Sequence, residues 1–471
     1  MAVMNAAPLS RHPVYLKIEA LLSDFKKREP RLEAYEITVF EKRSEQRLLF
    51  GMENENGLDV STARYDIFER SFSVQIYTRT AVNSMGLASS QIDPMGDLKK
   101  QLQSTFEASL ATANPAWDLP LPAPAKKTGL RECDPALVAD LRGGADRLVL
   151  AADAETRKLS GVHVNYAELF VNHTRFLHRL STGIQNEREI TDLYFEIAME
   201  KLPLPNTQEV HNNVTSVDEK GLALPEFIRR TAEEARSLGE VSIPETSSET
   251  VILLGADDLN ILFHTLLAQL DRAQEYYARP FIREGEWISR SEPAGDPLTL
   301  RLDPHLDFMA ESRVFSGEGI PTTGGTLVEK SRVAGRTSTH RIARYLGLEA
   351  DGVSGNVVVN AGSRSKEELL RLAPRVIEVK AFSSLLSSGD SLTWSSEIKF
   401  AVEHRVENGV ATKRYLKGGV LSGNLRENLQ SLFFSRETEV SSRVADSYHA
   451  AMGYVGPAWA LILKGVSLSG K

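Results

Sequence analysis

Between residues 250 and 277 the chain reads TVILLGADDLNILFHTLLAQLDRAQEYY. The apolar run Val251, Ile252, Leu253 and Leu254 is short and stops at Gly255, which predicts a buried strand closed by a turn. Ile261, Leu262, Leu266 and Leu270 then recur at helical spacing. A strand, a turn and a helix with one apolar face can bury that face only against further layers. Asp257 or Asp258 is placed to accept hydrogen bonds from the first free N–H groups of the helix. The helix carries a single histidine, His264, with Thr265 beside it and Gln269 further along.

The rest of the chain reads as three units. Residues 1–12 form a loose tail. Residues 13–27 pattern as an amphipathic helix. Tyr35, Ile37 and Val39 begin an alternating strand that 47–50 pairs back upon. A polar insert at 53–63, strands at 68–78 and 81–90 and a helix at 97–113 complete a two-layer α/β domain over 13–113. Residues 114–133 form a linker, since four prolines fall within NPAWDLPLPAPAKK. A middle α/β domain, 134–240, holds a helix at 134–156 that Gly143 and Gly144 can break. It continues with strands at 162–176 and 192–200 and a helix at 224–238 closed by Gly239. Residues 249–471 are strand-rich after their opening helix, with short helices expected at 339–346, 366–372 and 424–432. The expected fold class is α+β: two-layer α/β units at the N-terminus, then a β-rich C-terminal domain.

A chain of 471 residues can bury two or three sizeable cores. The formal net charge is -8 and no block of Lys and Arg stands out, so nucleic acid is not an expected partner. The single cysteine, Cys133, excludes intrachain disulfides and cysteine-rich metal sites, and fits a reducing cytoplasm. No apolar run approaches the roughly 18 residues that cross a bilayer, and the N-terminus lacks the apolar centre of a signal peptide. A cytoplasmic location with no membrane contact is the expectation.

Most catalytic signatures are missing. None of the ten histidines belongs to an H-x-x-x-H or H-E-x-x-H motif. His173 and His178 stand five apart in an expected strand, which turns them to opposite faces. There is no G-x-S-x-G elbow and no phosphate loop. Gly317, Gly319, Gly324 and Gly325 gather around Pro321 before a strand, and read as turns.

Longer landmarks resemble one family. FSGEGIPTTGGTLVEKSRVAG (315–335), DGVSGN (351–356), the following 357–370, GGVLSGNLRENL (418–429) and GYVGPAWALILKGVSLSGK (453–471) are similar, in order and spacing, to elements of the TldD/TldE (PmbA) family, once called modulators of DNA gyrase. Residues 35–90 resemble its first domain more loosely, and the middle unit resembles it least.

The resemblance implies a dimer whose TldD-type subunit carries an H-E-x-x-x-H metal helix and a late cysteine ligand. The pair acts as a metallopeptidase on precursor peptides and small unfolded proteins, and its TldE-type subunit lacks the ligands. His264 falls on the first histidine of that motif, Thr265 on the glutamate and Gln269 on the second histidine. The late cysteine is absent; the stretch offers Ala451, Met452, Gly453 and Tyr454. A Gln amide is a poor zinc ligand and a Thr hydroxyl is no base near neutral pH. Five residues at helical pitch set two side chains about 140° apart, so a metal-binding version needs a local π-like turn, and a regular helix is expected here. The resemblance therefore implies a metal-free, non-catalytic TldE-like chain with no cofactor of its own. Its partner would be a zinc-bearing TldD-like subunit or, alternatively, a second copy in a homodimer that holds peptide without cutting it. The residues that touch the peptide are not identified by sequence.

Overall fold

The computed structural model describes residues 7–52, 55–204, 209–238, 241–407, 410–443 and 451–471. Seven strands make the N-terminal sheet: β1 (Leu32–Met52), β2 (Glu55–Ala81), β3 (Ser84–Ile92), β4 (Asn114–Pro115), β5 (Val162–Leu180), β6 (Gln185–Lys201) and β7 (Glu209–Ser216), in the order β4-β3-β2-β1-β5-β6-β7. The first and middle units thus share one sheet, joined where Val39 of β1 faces Leu177 of β5. Helices cover one face. α1 (Pro13–Arg28) and α2 (Leu98–Leu110) seal one half over Ile18, Leu22, Ile37, Val74 and Phe106. α3 (Pro135–Ala139), α4 (Leu141–Thr156) and α5 (Leu224–Ser237) follow, and the last two cover the other half over Leu148, Val164, Phe195 and Phe227.

Local chemistry sets these boundaries. Pro13 opens α1 behind His12, whose Nδ1 accepts from the Val14 N–H, and three basic residues close it. Asp97 caps α2 by accepting from the Lys100 N–H. The 134–156 helix breaks at Asp140, not at the glycines: Asp140 accepts from the Gly143 N–H and starts α4. Gly144 lies inside that helix, where a Cβ would sit 2.3 Å from Leu137.

Three expectations change. The polar insert is strand over its described residues, 55–63: β1 and β2 pair from Leu32–Thr78 to Met52–Glu55. Residues 59–63 look like loop because most of their side chains meet water, while the ladder satisfies their backbone. The N-terminal tail is tied down from residue 7, with Leu9 buried and the Leu9 and Ser10 N–H groups on Glu187; residues 1–6 lie outside the described residues, as does Gly239. The proline-rich linker packs as well. Trp117 is buried between Tyr77 and Tyr345, at 6.0 and 5.7 Å between centroids.

Two sheets build the C-terminal domain. The larger has ten strands: β8 (Val241–Ser242), β9 (Ile252–Gly255), β14 (Arg375–Phe382), β15 (Leu386–Ser387), β16 (Thr393–Glu407), β17 (Val410–Leu416), β18 (Val420–Asn424), β19 (Leu432–Phe434), β22 (Trp459–Ile462) and β23 (Val466–Ser469). The smaller has six: β10 (Leu300–Asp303), β11 (Gly325–Glu329), β12 (Arg332–Val333), β13 (Asn356–Val359), β20 (Thr438–Arg443) and β21 (Met452–Pro457). α6 (Ala256–Gln269) follows β9, and its Leu259, Leu262, Phe263 and Leu266 share one core with both sheets. The molecule is α+β, as the sequence pattern predicts. Among the described residues no helix is long and apolar enough to cross a membrane.

Candidate functional site

α6 is a regular α-helix from Ala256 to Gln269. Its N-cap position is Gly255, so Asp257 and Asp258 do not cap it, contrary to the sequence expectation. They lie within the first turn, where the helix dipole favours negative charge. Asp257 Oδ1 instead accepts from Ser441 Oγ at 2.6 Å. Asp258 is pushed up to about 8 by burial and by Asp257, against a counter-pull from Arg443.

His264 is held at both ring nitrogens. Nδ1 lies 2.9 Å from the Asn260 carbonyl and Nε2 lies 2.8 Å from Glu311 Oε2. Thr265 Oγ1 donates to the Ile261 carbonyl at 2.9 Å and lies 2.7 Å from Ser387 Oγ, a hydroxyl able to donate to it. Gln269 Nε2 donates to the Gly389 carbonyl at 2.6 Å. Thr265 and Gln269 therefore fasten the helix to the β15–β16 turn, while His264 faces a different element.

Tyr454 does not join them. It is fully buried, stacks on Phe263 at 6.2 Å and donates its hydroxyl to the Pro457 carbonyl at 2.9 Å. Burial raises its phenol well above the ordinary value. The strand reaches the site through its neighbour: the Gly453 N–H donates to Glu311 Oε2 at 3.2 Å. Asn356 completes the shelf, accepting the Glu311 N–H at 3.1 Å and donating to Ser312 Oγ at 2.9 Å.

Zinc needs about three protein ligands in tetrahedral arrangement. Both ring nitrogens of His264 are engaged, Nδ1 with the Asn260 carbonyl and Nε2 with Glu311, so neither points at an open metal position. Gln269 is turned to a backbone carbonyl, and Glu311 is already shared between His264 and Gly453. Among the described residues no three His, Cys, Asp or Glu side chains converge as a metal ion requires. The residues present at this helix do not fit a zinc ion.

What remains is a cleft lined for polar contacts. Beside Ser387 runs a groove of about 780 Å³, walled by hydroxyls of Ser387, Ser395, Ser422 and Ser467 and by the carboxylates of Glu249 and Glu427. β15 and β20 lie at the borders of their sheets, and both touch α6. Glu311, Asn356 and Ser387 escape sequence reasoning. Glu311 belongs to the irregular 304–324 segment, which has no period to mark it, although the FSGEG turn lies only four residues further on.

Residues 289–460 match the family model of the PmbA/TldA metallopeptidase C-terminal domain. The fold over the whole chain is similar to TldE from Thermococcus kodakarensis, at 18% identity and a TM-score of 0.74, covering 96% of this chain and 100% of that one. A protein of Thermotoga maritima described as a modulator of a DNA gyrase matches at 16% identity and TM-score 0.72, over 97% of this chain and all 100% of its own. One from Bacteroides thetaiotaomicron with the same description matches at 15% and 0.74, over 98% and 100%. No curated protein matches the sequence. Residues 289–460 are thus a C-terminal domain of the PmbA/TldA metallopeptidase type, within a chain whose whole fold is similar to that of TldE.

Proposed function

We propose that the chain is a non-catalytic, TldE-like subunit of a heteromeric zinc metallopeptidase that processes peptides or small unfolded proteins in the cytoplasm. The zinc and the general base would reside in a TldD-like partner. One observation supports this reading above the rest: at the positions where the family's metal helix carries its ligands, His264, Thr265 and Gln269 are each bonded to protein groups. The scaffold would be kept for another purpose, completing a chamber and holding an extended peptide by strand addition at a sheet border beside α6. The purified chain should carry no stoichiometric zinc by mass spectrometry and cleave no peptide. Mixed with an H-E-x-x-x-H homologue encoded beside it, it should gain zinc-dependent cleavage. Stoichiometric zinc and peptide cleavage by the pure chain would sink the proposal.

A further inference from the structure

Four charged side chains cluster where the N-terminal sheet meets the C-terminal domain: Glu132, Arg188, Glu311 and Arg313. Arg188, on β6, is committed. It pairs with Glu132 through Nε and donates from Nη2 to the Ser312 carbonyl at 2.7 Å. Glu311 is committed to His264 and to the Gly453 N–H. Arg313 is the one left over. Its Nε is buried without an acceptor, and among the described residues its guanidinium makes no hydrogen bond or ion pair.

A buried guanidinium Nε–H without an acceptor is costly, and native proteins seldom leave one without a reason. Drift of a loose loop does not supply that reason here. The Arg313 N–H donates to the Pro304 carbonyl at 3.0 Å, and its carbonyl accepts from Thr322 Oγ1. Access is present too: Arg188 keeps 29% of its side chain exposed, His264 15% and Glu311 16%. Arg313 itself is only half-buried, so part of its planar fork reaches solvent from a fixed backbone. Burial and the like charge of Arg188 pull Arg313 down from its ordinary value, which an added anion would reverse.

We propose that Arg313 is the anchor for a carboxylate of the peptide held beside α6. A carboxylate matches the fork with two parallel bonds. A doubly charged phosphate would meet the neighbouring carboxylates of Glu132 and Glu311. The inference rests on the peptide-holding part of the proposed function and gives it a substrate class: peptides presenting a free C-terminus or an acidic side chain.

Fluorescence anisotropy with the full chain tests it. Three N-terminally labelled Ala/Ser octapeptides serve as probes: a free acid, its C-terminal amide, and the amide with one internal Glu. The free acid should bind about tenfold or more tighter than the amide, the worth of one charge-assisted contact. Affinity regained by the internal Glu would identify the side chain as an equivalent source; without it, the C-terminus is the source. Arg313→Gln should remove the discrimination, and Arg313→Lys should keep part of it. Equal binding of all three probes by the unmodified chain overturns the inference and leaves peptide holding intact. Binding of none overturns both. Undiminished discrimination in a folded Arg313→Gln variant, checked by circular dichroism, also overturns it.

Discussion

Gly453 shows how tightly single residues define the shelf around Glu311. A Cβ there would lie 1.9 Å from Asn356 Oδ1, the atom that receives the Glu311 N–H. Gly453→Ala should therefore push Asn356 off Glu311 and cost about 1–3 kcal/mol in chemical denaturation, typical of overpacking. Asp258 makes a prediction with a sign. Its carboxyl is held near 8 in the folded chain against an ordinary 3.8, so between those values the folded state keeps a proton the unfolded state has lost. Stability from this group falls as pH rises through that window. Asp258→Asn should leave the melting temperature nearly unchanged at pH 4 and raise it increasingly toward pH 9, as read by calorimetry. Rebuilding the family motif is a third test. Thr265→Glu with Gln269→His restores H-E-x-x-x-H in letters, but on a regular helix those histidines diverge by about 140°. That double variant should still hold less than stoichiometric zinc by mass spectrometry.

At the scale of elements, α6 shows what periodicity can and cannot say. The apolar spacing runs on through Leu270, and the sequence reads as one helix to 277. The structure stops α6 at Gln269 and starts α7 (Arg272–Tyr276) with Asp271 accepting from the Ala273 N–H. The break comes from outside the helix: the Arg272 N–H is taken by the Thr337 carbonyl, and the Thr337 N–H by the Leu270 carbonyl. Such competition between distant backbones leaves no local pattern. The proline-rich stretch has the same lesson. Its prolines forbid helix and central strand, yet Trp117 anchors it with ring contacts to both halves of the molecule. Trp117→Ala should cost about 3 kcal/mol by denaturation, the loss expected for a buried indole. Thr182, which donates to the Pro120 carbonyl at 2.7 Å, holds the middle of the segment.

For the whole molecule, the C-terminal core depends on two sheets closing around one helix. Parallel pairs such as β9 with β14 and β13 with β21 join strands more than ninety residues apart in sequence. That arrangement brings Glu311, Gly453 and His264 together, and the same closure sets Arg313 against the N-terminal sheet. Local spacing alone set the fold class, the strand at 252–255 with the helix that follows it to Gln269, and the family landmarks, because these rest on residues with few conformational choices. The sequence also showed that position 265 carries no base and position 269 no histidine. Tertiary structure alone decided that the first two units share a sheet, that an exposed polar stretch is strand, and which acceptors occupy His264. Each of those depends on the hydrogen-bonding needs of groups far apart in the chain, and only the folded backbone brings such groups within reach.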